Sequence, residues 1–320
     1  MVSSDPNPGI SARAEEAVRI ATEAGRRLGL TVDGPRVLHD VFNVLVHLAP
    51  SPVVVRVPSL VEVEPGEQVT KQRHELAVAG WLADRGVRVV APSPLVPREP
   101  FAWQGRSLTF WEFVSEEKDE SPLSDELMME RYIEQTGWVA ELHAHLADYP
   151  GELPLLAPIV PATGDALRGL RDRPEVLAAA DLERAEREYE VLAAVVADLN
   201  HYFPRARVQA LHGDAPYYNI LRTREGHLFS DFEEVTAGPV EWDLTMAGPQ
   251  AVAVYEQAGG QRVDRGLLEL MEQARLLQIV SALAFTDRMP ELAPQLEPMV
   301  DQWRALPELD LKGIGAGLVD

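Results

Sequence analysis

The stretch ALHGDAPYYNILRTREGHLFSDFEEV, residues 210–235, decides the fold. It places a His-Gly-Asp tripeptide ending at Asp214 just ahead of Asn219, and it closes on an acidic string that begins with Asp231. The runs NILRT and HLFSDF lie between these polar residues and flank a short Gly-containing turn, which is typical of a β-hairpin. The pattern therefore predicts two short strands, with one polar loop before them and another after them.

The spacing of these polar residues indicates phosphoryl transfer. This reaction needs little covalent chemistry from a protein, which must orient one hydroxyl group and neutralise the phosphates. Protein kinases use a His-Arg-Asp motif, an Asn five positions after its Asp, and a later Asp-Phe-Gly. Here Asn219 follows Asp214 by five residues, and Asp231 follows Asn219 by twelve, with Phe232 directly behind it. The spacing predicts that Asp214 is the catalytic base and that Asn219 and Asp231 bind Mg²⁺.

These motifs resemble the aminoglycoside phosphotransferase and choline kinase-like family of small-molecule kinases, which carries His-Gly-Asp in this loop. The string SDFEE is similar to that family's metal-binding string, and VAELHAHL resembles its helix beneath the loop. The resemblance covers about residues 35–300. It implies an α+β, bilobal protein-kinase-like fold with a small antiparallel-sheet N-terminal lobe and a mainly helical C-terminal lobe. By the same resemblance Asp243, in GPVEWDLTMA, braces the catalytic loop, and His212 is interpreted as a structural anchor of that loop.

A cation for the nucleotide phosphates is predicted on a strand of the N-terminal lobe. A kinase-like lobe needs such a cation and a helix carboxylate that positions it. The string PVVVRVP, residues 52–58, places Arg56 there, and arginine can grip a phosphate with two parallel hydrogen bonds. Glu75, in KQRHELAVAGWL, is its predicted partner. The alternative is that Arg56 is a surface charge at a strand edge and Glu75 a solvated helix residue.

The loop that would cover the phosphates contains no glycine. Glycine lets backbone N–H groups approach phosphates without a Cβ clash, but none occurs between Val37 and Pro65. His39, Asp40 and Asn43 are predicted at the turn, where Asp and Asn tolerate strained dihedral angles. Asn43 is therefore included among the predicted nucleotide-binding residues, and the phosphates are held either weakly or by side chains.

The segment LTFWEFVSEE is predicted to bind the nucleotide base. An adenine requires one backbone acceptor and one backbone donor from an extended segment. By analogy, the Glu112 carbonyl and the Val114 amide would be these groups. Trp111 and Phe113 are interpreted as core aromatics, with stacking on the nucleotide as the alternative.

The chain is long enough for two lobes, since its 320 residues exceed one typical domain. A strongly acidic segment follows Val114, so we predict a nucleotide-binding lobe over 1–114 and a helical lobe with the catalytic loop and acceptor site over 115–320. Periodicity predicts helices over 11–29, 68–85, 130–147, 181–203 and 263–289, and strands over 43–49, 52–58, 87–92 and 107–114.

Composition excludes several functional classes. The chain has no cysteine, which rules out disulfides, thiolate metal sites and cysteine nucleophiles. A formal net charge of −22 argues against a nucleic-acid partner. No apolar run reaches the ~20 residues of a membrane helix, and the first residues do not resemble a secretory signal, so we expect a cytoplasmic protein without a membrane partner. The sequence leaves the oligomeric state open.

The sequence therefore predicts a kinase that uses ATP or GTP and Mg²⁺ to phosphorylate a hydroxyl group of a small molecule. The acidic balance slightly favours a cationic or polyhydroxylated acceptor, although it is also typical of a solvated surface. A catalytically degenerate pseudokinase or scaffold of the same fold is the alternative. A hydrolase that uses His212 and Asp214 is a third hypothesis. The sequence contains neither the G-x-S-x-G motif nor the H-E-x-x-H motif that would support it.

Overall fold

A computed structural model describes residues 11–58, 65–117, 119, 122–311 and 314 of the chain. The chain forms two compact units, which we call the first and the second unit. The first consists of Met1–Lys118 and Leu221–Glu233, and the second of Asp119–Ile220 and Glu234–Asp320. The hairpin that follows Asn219 thus belongs with the N-terminal residues, whereas the residues before it belong with the second unit.

The described chain mixes helices and strands, as an α+β fold requires. The helices are α1 (Ala12–Arg27), α2 (Pro65–Ala83), α3 (Asp125–Leu146), α4 (Ala162–Gly169), α5 (Ala179–Ala197), α6 (Leu199–Tyr202), α7 (Gly248–Gln257), α8 (Arg265–Ser281) and α9 (Ala293–Ala305). The strands are β1 (Arg36–Asp40), β2 (Asn43–His47), β3 (Val53–Pro58), β4 (Phe101–Trp103), β5 (Arg106–Glu112), β6 (Gln209–Leu211), β7 (Ile220–Thr223), β8 (Gly226–Phe229) and β9 (Thr236–Gly238). None of the described helices is long and apolar enough to cross a membrane.

The first unit is built on a five-stranded antiparallel sheet with the order β1-β2-β3-β5-β4. Its central strand β3 consists mainly of valines, which favour strands, and it is buried along its whole length. The alanine-rich face of α1 packs into the apolar core beside this sheet. Small side chains let the helix approach closely, and a Cβ added at Gly25 would lie 2.4 Å from Leu48. On the other side, Gln72 of α2 donates to the Ser107 carbonyl of β5 at 3.0 Å.

The second unit is mainly helical. Helix α3 begins at the N-cap Ser124 and packs along α7, where Gly137 leaves room for Val254. Helix α8 begins at the N-cap Asp264 and packs against α9. Strands β6 and β9 pair antiparallel, with Gln209 opposite Gly238. This small sheet fixes the start of the loop that carries Asp214.

Some predicted elements differ from the observed ones. The predicted strand at 87–92 is wrong: this segment makes only isolated bridges, from Val89 to Phe229 and from Pro92 to Trp111. Pro92 and Pro94 lack the N–H groups that a strand ladder needs, which explains the difference. Strands β1 and β4 were not predicted, because β1 lacks a clear alternation of apolar and polar residues and β4 contains only three residues. The predicted helix 181–203 breaks at Asp198.

Candidate active site

Arg56 and Glu75 form a buried ion pair in the first unit. The register of β3 places Arg56 opposite Thr109 of β5, and α2 brings Glu75 against it. The Arg56 Nη1 group donates to Glu75 Oε1 at 2.5 Å. The side chains are only 8% and 1% exposed, so neither is the solvated surface charge of the alternative interpretation. The guanidinium group also lies over the ring of Trp111, with 5.6 Å between Arg56 Cζ and the ring centroid, and Trp111 is itself buried.

The same arginine binds the predicted metal-binding carboxylate. Arg56 Nη2 donates to Asp231 Oδ1 at 2.8 Å, and Glu233 Oε2 lies 3.6 Å from Nη1. Asp231 has φ 63°, in the left-handed region that few side chains other than Asn and Asp adopt readily. Asn43, the first residue of β2, donates its amide N–H to Glu233 Oε2 at 2.8 Å. The structure thus joins Asn43, Arg56, Glu75 and Asp231 through one network within the first unit.

This network contains more carboxylates than cations. Glu75, Asp231 and Glu233 all lie near the single guanidinium group of Arg56. Burial raises the pKa of Glu75 to about 8. The negative charges of Glu233 and Asp231 also raise this pKa, whereas the positive charge of Arg56 lowers it. Glu75 Oε2 and Arg56 Nε are buried without a hydrogen-bond partner in the described chain. An additional cation bound next to Asp231 would relieve this excess of negative charge.

The residues available for a metal fit Mg²⁺ bound together with phosphates. No group of three or more acidic, His or Cys side chains that could hold a metal occurs among the described residues. Mg²⁺ is usually held by one or two carboxylates together with waters and substrate phosphates, so such a group is not required. The Asp231 side chain is 45% exposed, and its hydrogen bond with Arg56 is made through Oδ1. Asp231 can therefore offer an oxygen to a metal while it remains bound to Arg56.

The predicted base-binding segment lies at and after the end of β5. Glu112 is the last residue of β5, and its N–H donates to the Ala91 carbonyl at 2.9 Å. The Phe113 N–H donates to the Pro52 carbonyl at 3.0 Å, and its ring stacks on His47 with a centroid distance of 3.8 Å. These contacts fix the backbone on both sides of the Glu112 carbonyl and directly before the Val114 amide.

The His-Gly-Asp loop of the second unit requires glycine at its centre. Gly213 has φ +91°, and a Cβ at this position would lie 1.7 Å from the Glu234 carbonyl oxygen. The backbone of the loop therefore passes directly over the segment that contains Glu234. Ala215 continues the loop in the left-handed region with φ 36°. These two residues turn the chain sharply on either side of Asp214.

The buried Asp243 fixes this loop through hydrogen bonds to its backbone. Its carboxylate accepts the backbone N–H groups of His212 at 2.9 Å and of Gly213 at 2.8 Å. His143 Nε2 lies 3.0 Å from Asp243 Oδ2, and its Nδ1 lies 3.0 Å from the Tyr255 hydroxyl. Burial opposes ionisation of Asp243, but the hydrogen bonds from His143 and Gly213 outweigh it and lower the pKa of this carboxyl. Asp243 thus lies where a brace of the loop is expected.

Asp214 extends from the loop next to two partners. Its side chain is 51% exposed and lies 3.5 Å from Nη1 of Arg275, which is buried. Arg275 also donates to the Gly213 carbonyl at 3.2 Å and stacks on Trp242 at 3.8 Å. Asn219 donates its amide N–H to the Asp214 carbonyl at 2.8 Å. The predicted base and one predicted metal ligand are therefore adjacent within the second unit.

Glycine at position 213 can be tested directly. We expect Gly213→Ala to destabilise the protein by about 1–3 kcal/mol, because alanine would combine an unfavourable φ with a clash against backbone. Gly259→Ala is the matched control in the same unit, since Gly259 has φ +95° and nothing within 4 Å of an added Cβ. Urea unfolding measures both changes. Equal losses in the two variants would show that contact with Glu234 does not matter.

Sequence reasoning missed three residues of these networks. Glu233 follows the predicted Asp-Phe pair, so its position next to Asp231 was the available signal. His143 lies in the helix string that was matched to the family, but no role was predicted for its side chain. Arg275 lies in the middle of α8 without any local motif, and only the folded structure reveals its contact with Asp214.

Comparisons with known proteins bear on the family and on the fold. Residues 9–277 match the profile of APH, described as the phosphotransferase enzyme family, whereas comparison with curated proteins gave no significant match. Choline kinase LicA from Streptococcus pneumoniae has a similar structure, with a TM-score of 0.61 and 12% identity over 91% of this chain and 100% of that chain. The structure of the microcompartment-associated aminopropanol kinase is similar as well, with a TM-score of 0.60 and 19% identity over 90% of this chain and 96% of that chain. The GDP and kanamycin complex of APH(2")-IIia has a TM-score of 0.58 and 14% identity over 91% of this chain and 98% of that chain.

These similarities extend along nearly the whole length of the compared chains. They confirm the α+β, protein-kinase-like fold and the family resemblance that the sequence predicts. At identities below 20%, they show the fold and not the substrate.

Proposed function

Because the chain belongs to the phosphotransferase enzyme family, we propose that it is a small-molecule kinase that transfers the γ-phosphoryl group of ATP, or of GTP, to a hydroxyl group. The observation that carries this proposal is the linked set of ion pairs from Glu75 through Arg56 to Asp231. Kinases require a cation that is held by a helix carboxylate and acts on the nucleotide phosphates. A protein that only needs a stable core has no reason to bury this charge.

We assign the nucleotide to residues of the first unit. Arg56 binds the phosphates, and Glu75 holds the guanidinium group in position. Asn43 approaches the phosphates from the start of β2, in place of the backbone N–H groups of a glycine-rich loop. The Glu112 carbonyl and the Val114 amide bind the nucleotide base. The fixed backbone around Phe113 supports this last assignment.

Asn219 and Asp231 are the residues we assign to Mg²⁺. When bound, the metal would neutralise the phosphates and hold them for transfer. The excess of carboxylates around Arg56 and the exposed side chain of Asp231 support this assignment. Arg56 keeps the Asp231 carboxylate oriented before a metal binds.

Asp214 is the residue we assign as general base. Its half-exposed carboxylate can accept the proton of an acceptor hydroxyl group. Asp243 and His212 support this base, because the Asp243 carboxylate holds the backbone of the loop. Arg275 and Asn219 limit the rotation of Asp214 from two sides.

The acceptor we propose is a cationic or polyhydroxylated small molecule, such as an aminoglycoside, a sugar or an amino alcohol. The net charge of −22 supports a cationic ligand. Among proteins of similar structure, two are named for choline and aminopropanol and one was solved with kanamycin. We further propose a cytoplasmic protein without nucleic-acid or membrane partners, with nucleotide binding in residues 1–114 and the acceptor site in 115–320.

A catalytically degenerate pseudokinase or scaffold of the same fold is the second candidate. The glycine-free segment around β1 and β2 favours it, because a Cβ at every position hinders the close approach of backbone N–H groups to phosphates. The sequence spacing of Asp214, Asn219 and Asp231 favours the enzyme, because a scaffold has no need for a base and two metal-binding residues at kinase spacing.

A thermal-shift titration with ATP and GTP, with and without Mg²⁺, tests nucleotide binding. A ligand at ~100 times its Kd that binds only the folded state adds about 2.7 kcal/mol to stability. We expect a Mg²⁺-dependent rise in melting temperature that shrinks strongly in Asp231→Asn. Asp33→Asn, which changes an exposed carboxylate of the first unit, is the control and should respond like the wild type. The absence of a shift with either nucleotide would contradict the proposed kinase.

A further inference from the structure

A cavity of about 1080 Å³ lies in the second unit. Its wall includes the segment before β6, the start of α8 and the stretch after α9, together with Glu241 and with Glu256 of α7. Arg265, at the start of α8, lines this cavity, whereas Arg275 of the same helix contacts Asp214. Ten residues of helix separate them, which corresponds to about 15 Å. The cavity is thus distinct from the catalytic loop, and its volume is that of a small-molecule site.

Four arginines line this cavity: Arg205, Arg207, Arg262 and Arg265. They are exposed, and within the described part of the chain they are the only arginines whose side chains have no hydrogen bond, ion pair or aromatic contact. All other arginines of this strongly acidic protein have such a partner. Free guanidinium groups are therefore concentrated in one place, which is unexpected for a surface with abundant carboxylates.

The carboxylates of the same wall mostly bind other parts of the chain. Glu241 and Glu256 each accept a backbone N–H group of the segment before α8, at 2.8 Å in both cases. Asp264 caps α8, and Glu308 pairs with Arg187 at 2.7 Å. The remaining acidic residues of the wall are Glu269 and Asp310. The guanidinium donors thus remain available to a ligand although acids lie nearby.

The arrangement of the four arginines indicates the class of ligand. Each guanidinium group offers five donors, and a phosphoryl group matches them with up to two negative charges and three acceptor oxygens. Arg205 and Arg207 lie on the segment before β6, whereas Arg262 and Arg265 lie just before and at the start of α8, so two parts of the wall supply guanidinium donors. Phe203 and Leu270 also line the cavity. We propose that this cavity binds a small molecule that carries two or more phosphoryl groups.

Calorimetric titration with pyrophosphate and tripolyphosphate, in EDTA and about 0.15 M NaCl, tests the site. The variant Arg262→Gln/Arg265→Gln removes one pair of donors. The control Arg168→Gln/Arg171→Gln removes two exposed arginines of the same unit outside this cavity, and therefore the same net charge. We expect saturable binding by the wild type, a loss of at least about tenfold in the cavity variant, and a change of no more than about twofold in the control.

Three results would overturn this site: no saturable binding by the wild type, equal weakening in both double variants, or binding that persists in the cavity variant. Citrate is titrated in parallel as an anion that carries carboxylates and no phosphoryl group. Binding of citrate without binding of pyrophosphate would contradict the proposal that the ligand carries phosphoryl groups. All substituted residues are exposed, so both variants should unfold like the wild type in urea. The experiment contains neither Mg²⁺ nor nucleoside, so its result is independent of the proposed kinase activity.

Discussion

Replacing Asp214 by asparagine is expected to lower the turnover of phosphoryl transfer by about 10²- to 10⁴-fold, the usual contribution of a positioned general base. Asparagine has the same size and keeps a polar contact to Arg275, so the loop should retain its conformation. Its amide cannot take the proton of an acceptor hydroxyl group. Transfer from γ-labelled ATP to a panel of aminoglycosides, amino alcohols and sugars identifies an acceptor and then measures the turnover of both proteins.

Nucleotide binding separates this effect from misfolding. The Asp214→Asn variant should show the same Mg²⁺- and ATP-dependent thermal shift as the wild type, because we assign Asp214 to the acceptor hydroxyl and not to the nucleotide. Asp172→Asn, at an exposed carboxylate of the same unit, should leave turnover unchanged. Turnover that is unaffected by Asp214→Asn would refute the assigned base. A wild type that transfers to no acceptor, yet binds nucleotide, would favour the pseudokinase.

The fold was largely predictable because its main elements carry strong local signals. The valine run of β3 and the amphipathic α1 are readable from spacing alone. Short elements were not, because β4 contains only three residues and owes its position to pairing with β5. Conversely, the apolar segment 87–92 has the composition of a strand but ends at Pro92, which has no N–H group to donate to a strand ladder.

The candidate site was predictable where a motif is local in sequence. Asn219 lies five residues from Asp214, and their adjacency follows from this short separation. The pairing of Arg56 with Glu75 was predicted only through family resemblance, because 19 residues separate them. Arg275 lies more than 60 positions from Asp214, on a helix whose pattern gives no sign of which residue faces the loop. Contacts of this range depend on packing that one sequence does not reveal.

The Arg56→Met substitution is expected to destabilise the protein by about 3–5 kcal/mol near pH 8, because it leaves the buried carboxyl group of Glu75 without its cation. Glu75 is almost fully buried, and within the described part of the chain its carboxyl group forms a hydrogen bond only with Arg56. Methionine has a similar length and is apolar, so it fills the space without new polar groups. Urea unfolding measures the loss. The exposed pair of Arg98 and Asp84 is the control, and Arg98→Met should cost less than about 1 kcal/mol.

The destabilisation should depend on pH in a defined direction. The pKa of Glu75 is raised to about 8 in the folded protein, above its ordinary value of 4.5. A group whose pKa is raised on folding stabilises the folded state most at a pH below its pKa in the unfolded state. This stabilisation is lost as the pH rises from the unfolded-state pKa through the folded-state pKa. Removing Arg56 removes the charge that favours ionised Glu75 and raises its pKa further. The stability of Arg56→Met should therefore keep falling above about pH 8, where that of the wild type levels off because folded Glu75 has lost its proton.

Removing both members of the pair tests whether Glu75 is the cause. The double variant Arg56→Met/Glu75→Leu should recover at least half of the stability lost in Arg56→Met, because it leaves no isolated charge at the centre of the network. It should also lose the steep pH dependence, since no titratable group remains at position 75. The nearby Asp231 and Glu233 are more exposed and can be hydrated without Arg56. If the double variant is no more stable than Arg56→Met at pH 8, burial of Glu75 does not explain why this arginine is needed.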